Sequence, residues 1–381
     1  MNLSVGIIGL PNVGKSTLFN ALLKKQQALA ANYPFATIEP NVGIVAVPDN
    51  RLSTLAKITA EEILKQVQDD KSKWPPIKNA LIEFVDIAGL VKGASEGAGL
   101  GNKFLSHIRE VRIICHVVRA FEDTDVIREG SLSPEEDYKT IQTELLLADL
   151  QTVEKQRESK AVKTDPVKKS AIEKLFTALN EGNAAREAVL TDDERESVRD
   201  LFLLSNKPEI IVLNVSEDRY NPEGIAKVTE QYKKLLFGSL TNISDDKGDN
   251  IVVICAKIES ELASLSEEEQ KEYLRDLGLE ASGLERLIQK AYGTLGLISF
   301  LTAGEKEVRA WTIKNGINAQ QAAGEIHTDF IKKFIKAEVV AFEDFVANNG
   351  WKGSREKGKA RFEGKEYVMK DGDVVEFKIG S

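Results

Sequence analysis

The sequence predicts an α/β fold on a mostly parallel sheet, with a helical insertion and a smaller C-terminal domain. Short apolar segments alternate with helical segments over most of the chain. One long charged segment almost without strand signals interrupts this alternation, and the C-terminal segment changes character again. Strands that alternate with helices typically form a parallel sheet covered by helices on both faces.

The predicted strands of the sheet are short and apolar. They cover residues 3–9, 81–86, 113–119, 210–214 and 251–255, and residues 16–23 have helical character. The two cysteines, Cys115 and Cys255, both fall in these apolar runs. Two isolated cysteines without a histidine cluster predict reduced thiols in the core.

The inserted segment extends from about residue 134 to residue 207. Apolar residues recur there at helical spacing in two series, one containing Ile141 and Leu145 and the other Ile172 and Leu175. Pro166 separates the two series. We expect an antiparallel helical hairpin, packed like a coiled coil, between the third and fourth predicted strands.

The C-terminal segment predicts a small mixed domain with a sheet and one main helix. Residues 307–313 alternate like a strand, and residues 320–334 have a helical pattern. Residues 367–377 read as a hairpin around the turn Asp371-Gly372.

Composition excludes several classes of protein. The 381 residues are 42% hydrophobic and 29% charged, as in ordinary globular proteins, and carry a net charge of −9. No apolar run is long enough to span a membrane, and the N-terminus has no secretory signal, so we expect a cytoplasmic protein without a membrane partner. The acidic balance argues against wrapping of nucleic acid by the whole chain, but leaves room for a local basic patch.

One motif identifies a phosphate-binding loop. The segment Gly9-Leu10-Pro11-Asn12-Val13-Gly14-Lys15-Ser16 matches the P-loop pattern, with a strand before it and a helix after it. Backbone N–H groups of such a loop surround the phosphates of a nucleoside triphosphate. Lys15 is then expected to reach the β- and γ-phosphates, and Ser16 to bind Mg²⁺.

A second motif supplies the switch elements. Asp86-Ile87-Ala88-Gly89 ends an apolar strand, so Asp86 can hold Mg²⁺, through water, and the Gly89 N–H can contact the γ-phosphate. The glycine-rich run 93–101 reads as a mobile switch or as a plain flexible loop. A switch protein also needs a threonine over Mg²⁺; Thr37 is the natural candidate, with Thr17 and Thr54 as alternatives.

The base-reading motif departs from that of GTPases. Where GTPases carry N-K-x-D after a strand, this chain has Asn214-Val215-Ser216-Glu217. A carboxylate placed for guanine would repel N1 of adenine, so a site that holds adenine must turn Glu217 away. Asn214 can still bond N7 or the N6 amino group of a purine, and Ala256-Lys257 resembles the loop that backs the base. The motif therefore points to ATP.

The motifs do not identify which group orients the attacking water. Many GTPases have glutamine directly after D-x-x-G, but this chain has Leu90. His116 and His107 are the candidates, with packed core histidine as the alternative, and His327 is expected to be remote.

Together the segments GLPNVGKST, NYPFATIEPN, DIAGLVKGASEGAGLGNKFLSHIREV and NVSE resemble the YchF group of Obg-like ATPases over nearly the whole chain. The resemblance implies hydrolysis of ATP in preference to GTP, association with the ribosome (large subunit or whole particle) and a C-terminal TGS domain of the β-grasp fold. We expect an Obg-type nucleotide-binding domain over 1–278, containing the insertion at about 130–206, and a TGS domain over 297–379. Residues 61–78 depart from the family pattern, because this stretch is longer and more charged than the usual loop.

By the same resemblance, the family's nucleotide contacts fall on the P-loop and the base motif, its Mg²⁺ ligands on Ser16 and Thr37, and its water-orienting residue on His116. The predicted nucleotide contacts are Asn12, Val13, Gly14, Lys15, Ser16, Thr17 and Val215.

Three further alternatives stay open at the sequence level. Asn12 either helps to hold K⁺ beside the phosphates or stabilises the loop. The basic cluster Lys352, Arg355, Lys357, Lys359 and Arg361, beside Trp351, is either solvated or contacts ribosomal RNA. The rival functions are a true GTPase, a small-molecule kinase and a scaffold with little turnover.

Overall fold

The computed structural model describes residues 3–29, 41–66, 74–87, 100–121, 133–237 and 250–380. Its strands are β1 (Ser4–Ile8), β2 (Val42–Ala46), β3 (Ile77–Lys78), β4 (Leu81–Asp86), β5 (Ile113–Arg119), β6 (Glu209–Asn214), β7 (Ile251–Ile254), β8 (Leu297–Ala303), β9 (Val308–Lys314), β10 (Phe334–Ala341), β11 (Arg361–Glu363) and β12 (Asp373–Ile379).

Its first eight helices are α1 (Lys15–Leu29), α2 (Arg51–Gln66), α3 (Leu100–Glu110), α4 (Pro134–Arg157), α5 (Lys160–Thr164), α6 (Pro166–Asn180), α7 (Asp192–Ser197) and α8 (Pro222–Phe237). The remaining helices are α9 (Ala256–Leu262), α10 (Glu267–Asp276), α11 (Gly283–Thr294), α12 (Ala319–Ile326), α13 (Thr328–Lys333), α14 (Phe342–Ala347) and α15 (Trp351–Glu356).

The first sheet has the strand order β2-β4-β1-β5-β6-β7. The pairs of β1 with β4 and β5, of β5 with β6, and of β6 with β7 are all parallel. The central strands β1, β5 and β6 are buried along their whole length, as expected for a parallel sheet covered on both faces. The predicted fold class is therefore confirmed.

The insertion lies between β5 and β6 and is helical, as predicted. Helices α4 and α6 pack against each other through a separate hydrophobic cluster that includes Val153, Ile172 and Leu175, all almost fully buried. Pro166 occupies the first turn of α6, where its missing N–H costs nothing, and Asp165 caps that helix by accepting the N–H groups of Val167 and Lys168.

The second sheet is mixed, with the order β11-β10-β12-β8-β9-β3. Strands β8 and β12 run parallel and meet at Leu301 and Val374, whereas β8–β9, β10–β12 and β10–β11 are antiparallel. Helix α12 covers this sheet through a cluster that includes Phe300, Ala322 and Val339. This arrangement is consistent with the expected β-grasp fold.

Two sequence-based expectations for the C-terminal segment are wrong. Residues 320–334 do not form one helix, because His327 has extended backbone angles and its Nδ1 accepts the N–H of Asp329, which ends α12 and starts α13. Residues 367–377 do not form a hairpin. The carboxylate of Asp371 accepts the N–H of Ser299, and the turn leads into β12, which pairs with β10 and β8.

The described residues form two compact units. The first comprises residues 3–28, 41–44, 83–87, 100–121, 133–237 and 250–291, and the second comprises residue 29 and residues 45–66, 74–82 and 292–380. Helix α2 thus belongs to the unit that contains the C-terminal segment, although sequence analysis assigned it to the domain 1–278. The predicted domain boundaries stay a prediction.

Two further findings concern the cysteines and possible membrane-spanning helices. Cys115 and Cys255 are both free and buried, as the sequence predicts. Within the described ranges, none of the helices combines the length and hydropathy that a membrane crossing requires.

Candidate nucleotide-binding site

The P-loop connects β1 to α1 by a backbone that only certain residues permit. A Cβ atom at Gly9 would lie 2.5 Å from the carbonyl oxygen of Val117, and one at Gly14 would lie 2.3 Å from Nδ2 of Asn214. Asn12 adopts a left-handed backbone with φ of 59°, a conformation that asparagine tolerates better than most residues. The motif glycines therefore allow the loop to pass close to β5 and β6.

Lys15 begins α1 and lies over the loop. Its side chain is buried, and Nζ donates a hydrogen bond to the carbonyl oxygen of Leu10 at 2.6 Å. Burial lowers the pKa of the Lys15 ammonium to about 8, although the negative charge of Asp86 opposes this shift. A buried ammonium is well suited to bind an anion, because it has already lost most of its water in the free protein. Binding of a phosphate therefore costs little further desolvation of Lys15.

Asp86 and Ser16 have the chemistry that a Mg²⁺ ion beside phosphates requires. Asp86 is the last residue of β4 and is in register with Ile7 of β1, two residues before the P-loop begins. Burial raises the pKa of the Asp86 carboxyl above its ordinary value, whereas the charge of Lys15 opposes the rise. Ser16 is exposed at the start of α1. Oxygen ligands of this kind fit Mg²⁺.

Three residues of the predicted phosphate site lie outside the described residues: Thr37, Gly89 and Leu90. Of the alternatives to Thr37, Thr17 is exposed on α1 and Thr54 lies in α2, within the second unit. The assignment of Thr37 to Mg²⁺ and of Gly89 to the γ-phosphate stays a prediction.

Asn214 connects three parts of the site. Its Nδ2 donates to the carbonyl oxygen of Val13 in the P-loop, and its Oδ1 accepts the backbone N–H of Ala256, each at 2.9 Å. The side chain is almost completely buried. Asn214 therefore holds the P-loop against the segment that begins α9, in addition to any contact that it makes with a base.

Val215 and Glu217 differ sharply in their surroundings. The side chain of Val215 is buried in the hydrophobic cluster around β6 and β7, and its N–H donates to the carbonyl oxygen of Ile254. Glu217 is half-exposed, and its carboxylate forms an ion pair with Lys257. Glu217, which replaces the guanine-reading aspartate, is thus directed toward a lysine at the start of α9.

His116 lies in the middle of β5, one strand away from the P-loop. It is in register with Ile8, the residue directly before the loop. The ring is 1% exposed, stacks on Tyr138 with centroids 4.9 Å apart, and its Nδ1 lies 3.0 Å from Oε1 of Glu209. These contacts suit a packed core residue, and they also hold the ring in one orientation.

Comparison with known proteins gives a consistent result. Residues 4–157 match the model of a family described as 50S ribosome-binding GTPase, and residues 297–380 match that of the YchF GTPase C-terminal domain, described as a protein of unknown function. The chain is 48% identical to the ribosome-binding ATPase YchF of Bacillus subtilis (strain 168), with both chains covered completely. It is 45% identical to the ribosome-binding ATPase YchF of Escherichia coli O157:H7, with 99% of each chain covered.

The chain belongs to the YchF family. A solved structure of the Schizosaccharomyces pombe YchF GTPase is 36% identical and has a TM-score of 0.81 over 99% of this chain and 98% of the other. The resemblance inferred from the motifs is therefore confirmed.

In this YchF family member the other two histidines are placed differently from His116. His107 is exposed on α3, and His327 is exposed between α12 and α13, in the second unit. The catalytic assignment of His116 stays a prediction, as does the alternative at His107.

The predicted basic cluster is largely engaged within its own unit. Arg355 donates to both carboxylate oxygens of Glu338, at 2.7 and 2.9 Å, and contacts Glu376. Lys359 pairs with Asp344, and Arg361 pairs with Glu363. The indole Nε1 of Trp351 donates to the carbonyl oxygen of Ala303. The indole is therefore partly committed to the fold, and contact with ribosomal RNA through this cluster stays a prediction.

Sequence reasoning missed the side chains around His116. Tyr138 and Gln142 come from α4, Arg186 from the turn after α6, and Glu209 from the start of β6. The only sequence signal is a glutamate beside an apolar run, which in most proteins marks a strand end at the surface.

Proposed function

We propose that this protein is an ATP hydrolase that prefers ATP to GTP and works as a nucleotide-dependent switch on the ribosome. The observation that carries the base preference is the ion pair between Glu217 and Lys257. A carboxylate held by this lysine is drawn away from the position in which it would accept the N–H groups of guanine. The names of the bacterial relatives, ribosome-binding ATPase, support the same conclusion.

The phosphate site would bind the nucleotide through the loop from Asn12 to Thr17, with Lys15 against the β- and γ-phosphates. Ser16, Thr37 and Asp86 would hold Mg²⁺, which when bound neutralises the charge that develops on the phosphate oxygens. The Gly89 N–H would contact the γ-phosphate. Asn12 would either help to hold K⁺ or keep the loop in shape. Asn214 and Val215 would line the base side of the site.

Hydrolysis needs a group that orients the attacking water. The side chain of Leu90, which follows the D-x-x-G motif, has no polar atom, so another residue must supply this group. We assign this role to His116. Loss of such a group typically lowers turnover by about 10²–10⁴-fold. His116→Ala should therefore lower single-turnover hydrolysis while ATP affinity is kept, measured on protein whose Tm is unchanged. His107→Ala, tested in parallel, separates the two candidates.

Association with the ribosome is proposed from the relatives' names and from the match of residues 4–157 to a family described as 50S ribosome-binding GTPase. Co-sedimentation with ribosomes in the presence of ATP, of ADP and without nucleotide tests it. We expect binding that depends on the nucleotide, and equal pelleting in all three conditions would contradict a switch.

A true GTPase is the second candidate, since both matching family models and the Schizosaccharomyces pombe relative carry GTPase in their names or descriptions. Isothermal titration with ATP and with GTP decides between the two. Lys15→Ala, which removes the charge that binds phosphate, is the control for both nucleotides. Tighter binding of GTP would overturn the proposed preference.

A further inference from the structure

The carboxylate of Glu209 is the centre of a buried hydrogen-bond network. Oε1 lies 3.0 Å from Nδ1 of His116 and accepts Nε2 of Gln142 at 2.6 Å. Oε2 accepts the hydroxyl of Tyr138 at 3.1 Å and Nη2 of Arg186 at 2.9 Å. Each oxygen therefore faces two polar neighbours, and Glu209 itself is 7% exposed.

The partners of Glu209 determine its charge. The guanidinium of Arg186 can only donate hydrogen bonds. The hydroxyl of Tyr138 and the amide of Gln142 also donate to the carboxylate of Glu209. Burial by itself would raise the pKa of Glu209, but its neighbours together lower it, and the charge of Arg186 and the hydrogen bond from Tyr138 favour the ionised form whatever His116 does. An ionised carboxylate only accepts hydrogen bonds. Nδ1 of His116 must therefore carry a hydrogen.

We propose that Glu209 is a positioning residue that holds His116 in the tautomer with hydrogen on Nδ1. The other ring nitrogen, Nε2, then keeps its lone pair and is the atom that can accept a hydrogen bond or a proton from water. This inference rests on the proposed function for its catalytic consequence, but the tautomer itself does not. A carboxylate that orients an imidazole in this way is a recurring device in hydrolytic sites.

The same network predicts what a neutral isostere does. In Glu209→Gln the atom that faces Arg186 must be the amide oxygen, because a guanidinium cannot accept a hydrogen bond. The amide NH₂ then faces both His116 and Gln142 and needs acceptors there. Gln142 provides one when its own amide turns so that the oxygen faces the new NH₂, and His116 must provide the other. Nδ1 loses its hydrogen, which moves to Nε2, so the tautomer is inverted while the size of the side chain is kept.

Tautomers of histidine can be read directly by long-range ¹H–¹⁵N correlation on protein labelled at histidine. The chain has three histidines, so His107→Gln and His327→Gln complete the assignment. The wild-type protein should show His116 with hydrogen on Nδ1, and Glu209→Gln should show it on Nε2. Tyr138→Phe, which keeps the stacked ring and removes one donor to Oε2, is the matched control and should resemble the wild type.

The outcomes separate the two levels of inference. A wild-type His116 with hydrogen on Nε2, or an unchanged tautomer in Glu209→Gln, overturns the positioning role whatever the activity. If the tautomer inverts, turnover should fall at least about tenfold with an unchanged KM for ATP. Inversion with normal turnover would instead overturn His116 as the water-orienting group. The wild-type spectrum decides the first point even if Glu209→Gln does not fold.

Discussion

At the residue scale, the environment of Lys15 couples nucleotide binding to protonation. The pKa of its ammonium is lowered to about 8 by burial. Bound phosphates favour the charged form and so raise this pKa. The free protein therefore loses the Lys15 proton as the pH rises through 8, whereas the complex keeps it, and ATP affinity should weaken above that pH.

Proton uptake on ATP binding measures this coupling. We expect about half a proton per ATP at pH 8, little at pH 7 and nearly one at pH 9, from calorimetry in buffers of different ionisation enthalpy. The pKa of Lys207 is also lowered to about 8 by burial, but its ammonium contacts the carbonyl oxygens of Arg109 and Val111. Lys207→Gln should leave the uptake unchanged, and uptake that disappears in this variant would contradict the assignment to Lys15.

The pairing of Glu217 with Lys257 gives a second prediction at this scale. If the carboxylate does not read the base, Glu217→Gln should change the Kd for ATP by less than about fivefold, because a half-exposed ion pair contributes about 0–1 kcal/mol. Titration of ATP and GTP against both proteins tests this. A loss of GTP binding alone by tenfold or more would mean that Glu217 does contact guanine.

The structure also changes how the base preference should be tested. Replacement of Val215 by lysine would restore the residue that covers guanine in GTPases. The side chain of Val215 is 2% exposed, so an ammonium at this position would be buried in an apolar cluster and would destabilise the fold. Single changes at Glu217 therefore give the cleaner experiment.

At the scale of elements, Asp149 secures the return of the insertion to the sheet. Its carboxylate, on α4, accepts the N–H groups of Leu204 and Ser205 and the hydroxyl of Ser205, at 2.6 to 2.8 Å. The side chain is 1% exposed. The three donors precede β6 and would stay buried and unpaired without it.

Asp149→Ala should therefore lower the free energy of unfolding by about 1–3 kcal/mol or more. Denaturant unfolding, followed by circular dichroism, is the measurement. Glu173→Ala is the control on the same hairpin, since its ion pair with Arg157 is exposed on both sides and contributes at most about 1 kcal/mol. Equal losses for the two variants would contradict the role of Asp149.

In the molecule as a whole, α2 joins the N-terminal part of the chain to its C-terminal segment. Leu52 and Leu55 on α2 are almost fully buried, and the helix packs against β8, β9 and α14 within the second unit. The second unit is therefore assembled from segments that are far apart in sequence.

Removal of residues 292–381 should expose the apolar face of α2. We expect chain 1–291 to bind a hydrophobic dye and to self-associate in size-exclusion chromatography, as exposed apolar patches promote association. The full chain with Leu55→Asp should show a milder form of the same behaviour, and Lys57→Asp, on an exposed position of α2, should not. A monomeric chain 1–291 that melts at the Tm of the full chain would contradict this view.

Features that depend on contiguous residues could be predicted before the structure was known. The P-loop, the strand that precedes it, the helical insertion and the family could all be predicted, because each is encoded by a short motif or by a local period of apolar residues. The loop glycines and Asn12 match their backbone positions for the same local reason.

Which side chains meet became clear from the three-dimensional fold. Contacts between residues that are tens to hundreds of positions apart in sequence include the ion pair of Glu217 with Lys257 and the four partners of Glu209. They also include the packing of α2 against the C-terminal strands. His327 likewise divides a segment with a continuous helical pattern. Hydrogen-bond partners depend on how elements pack and on which donors become buried together, and no local pattern of residues contains that information.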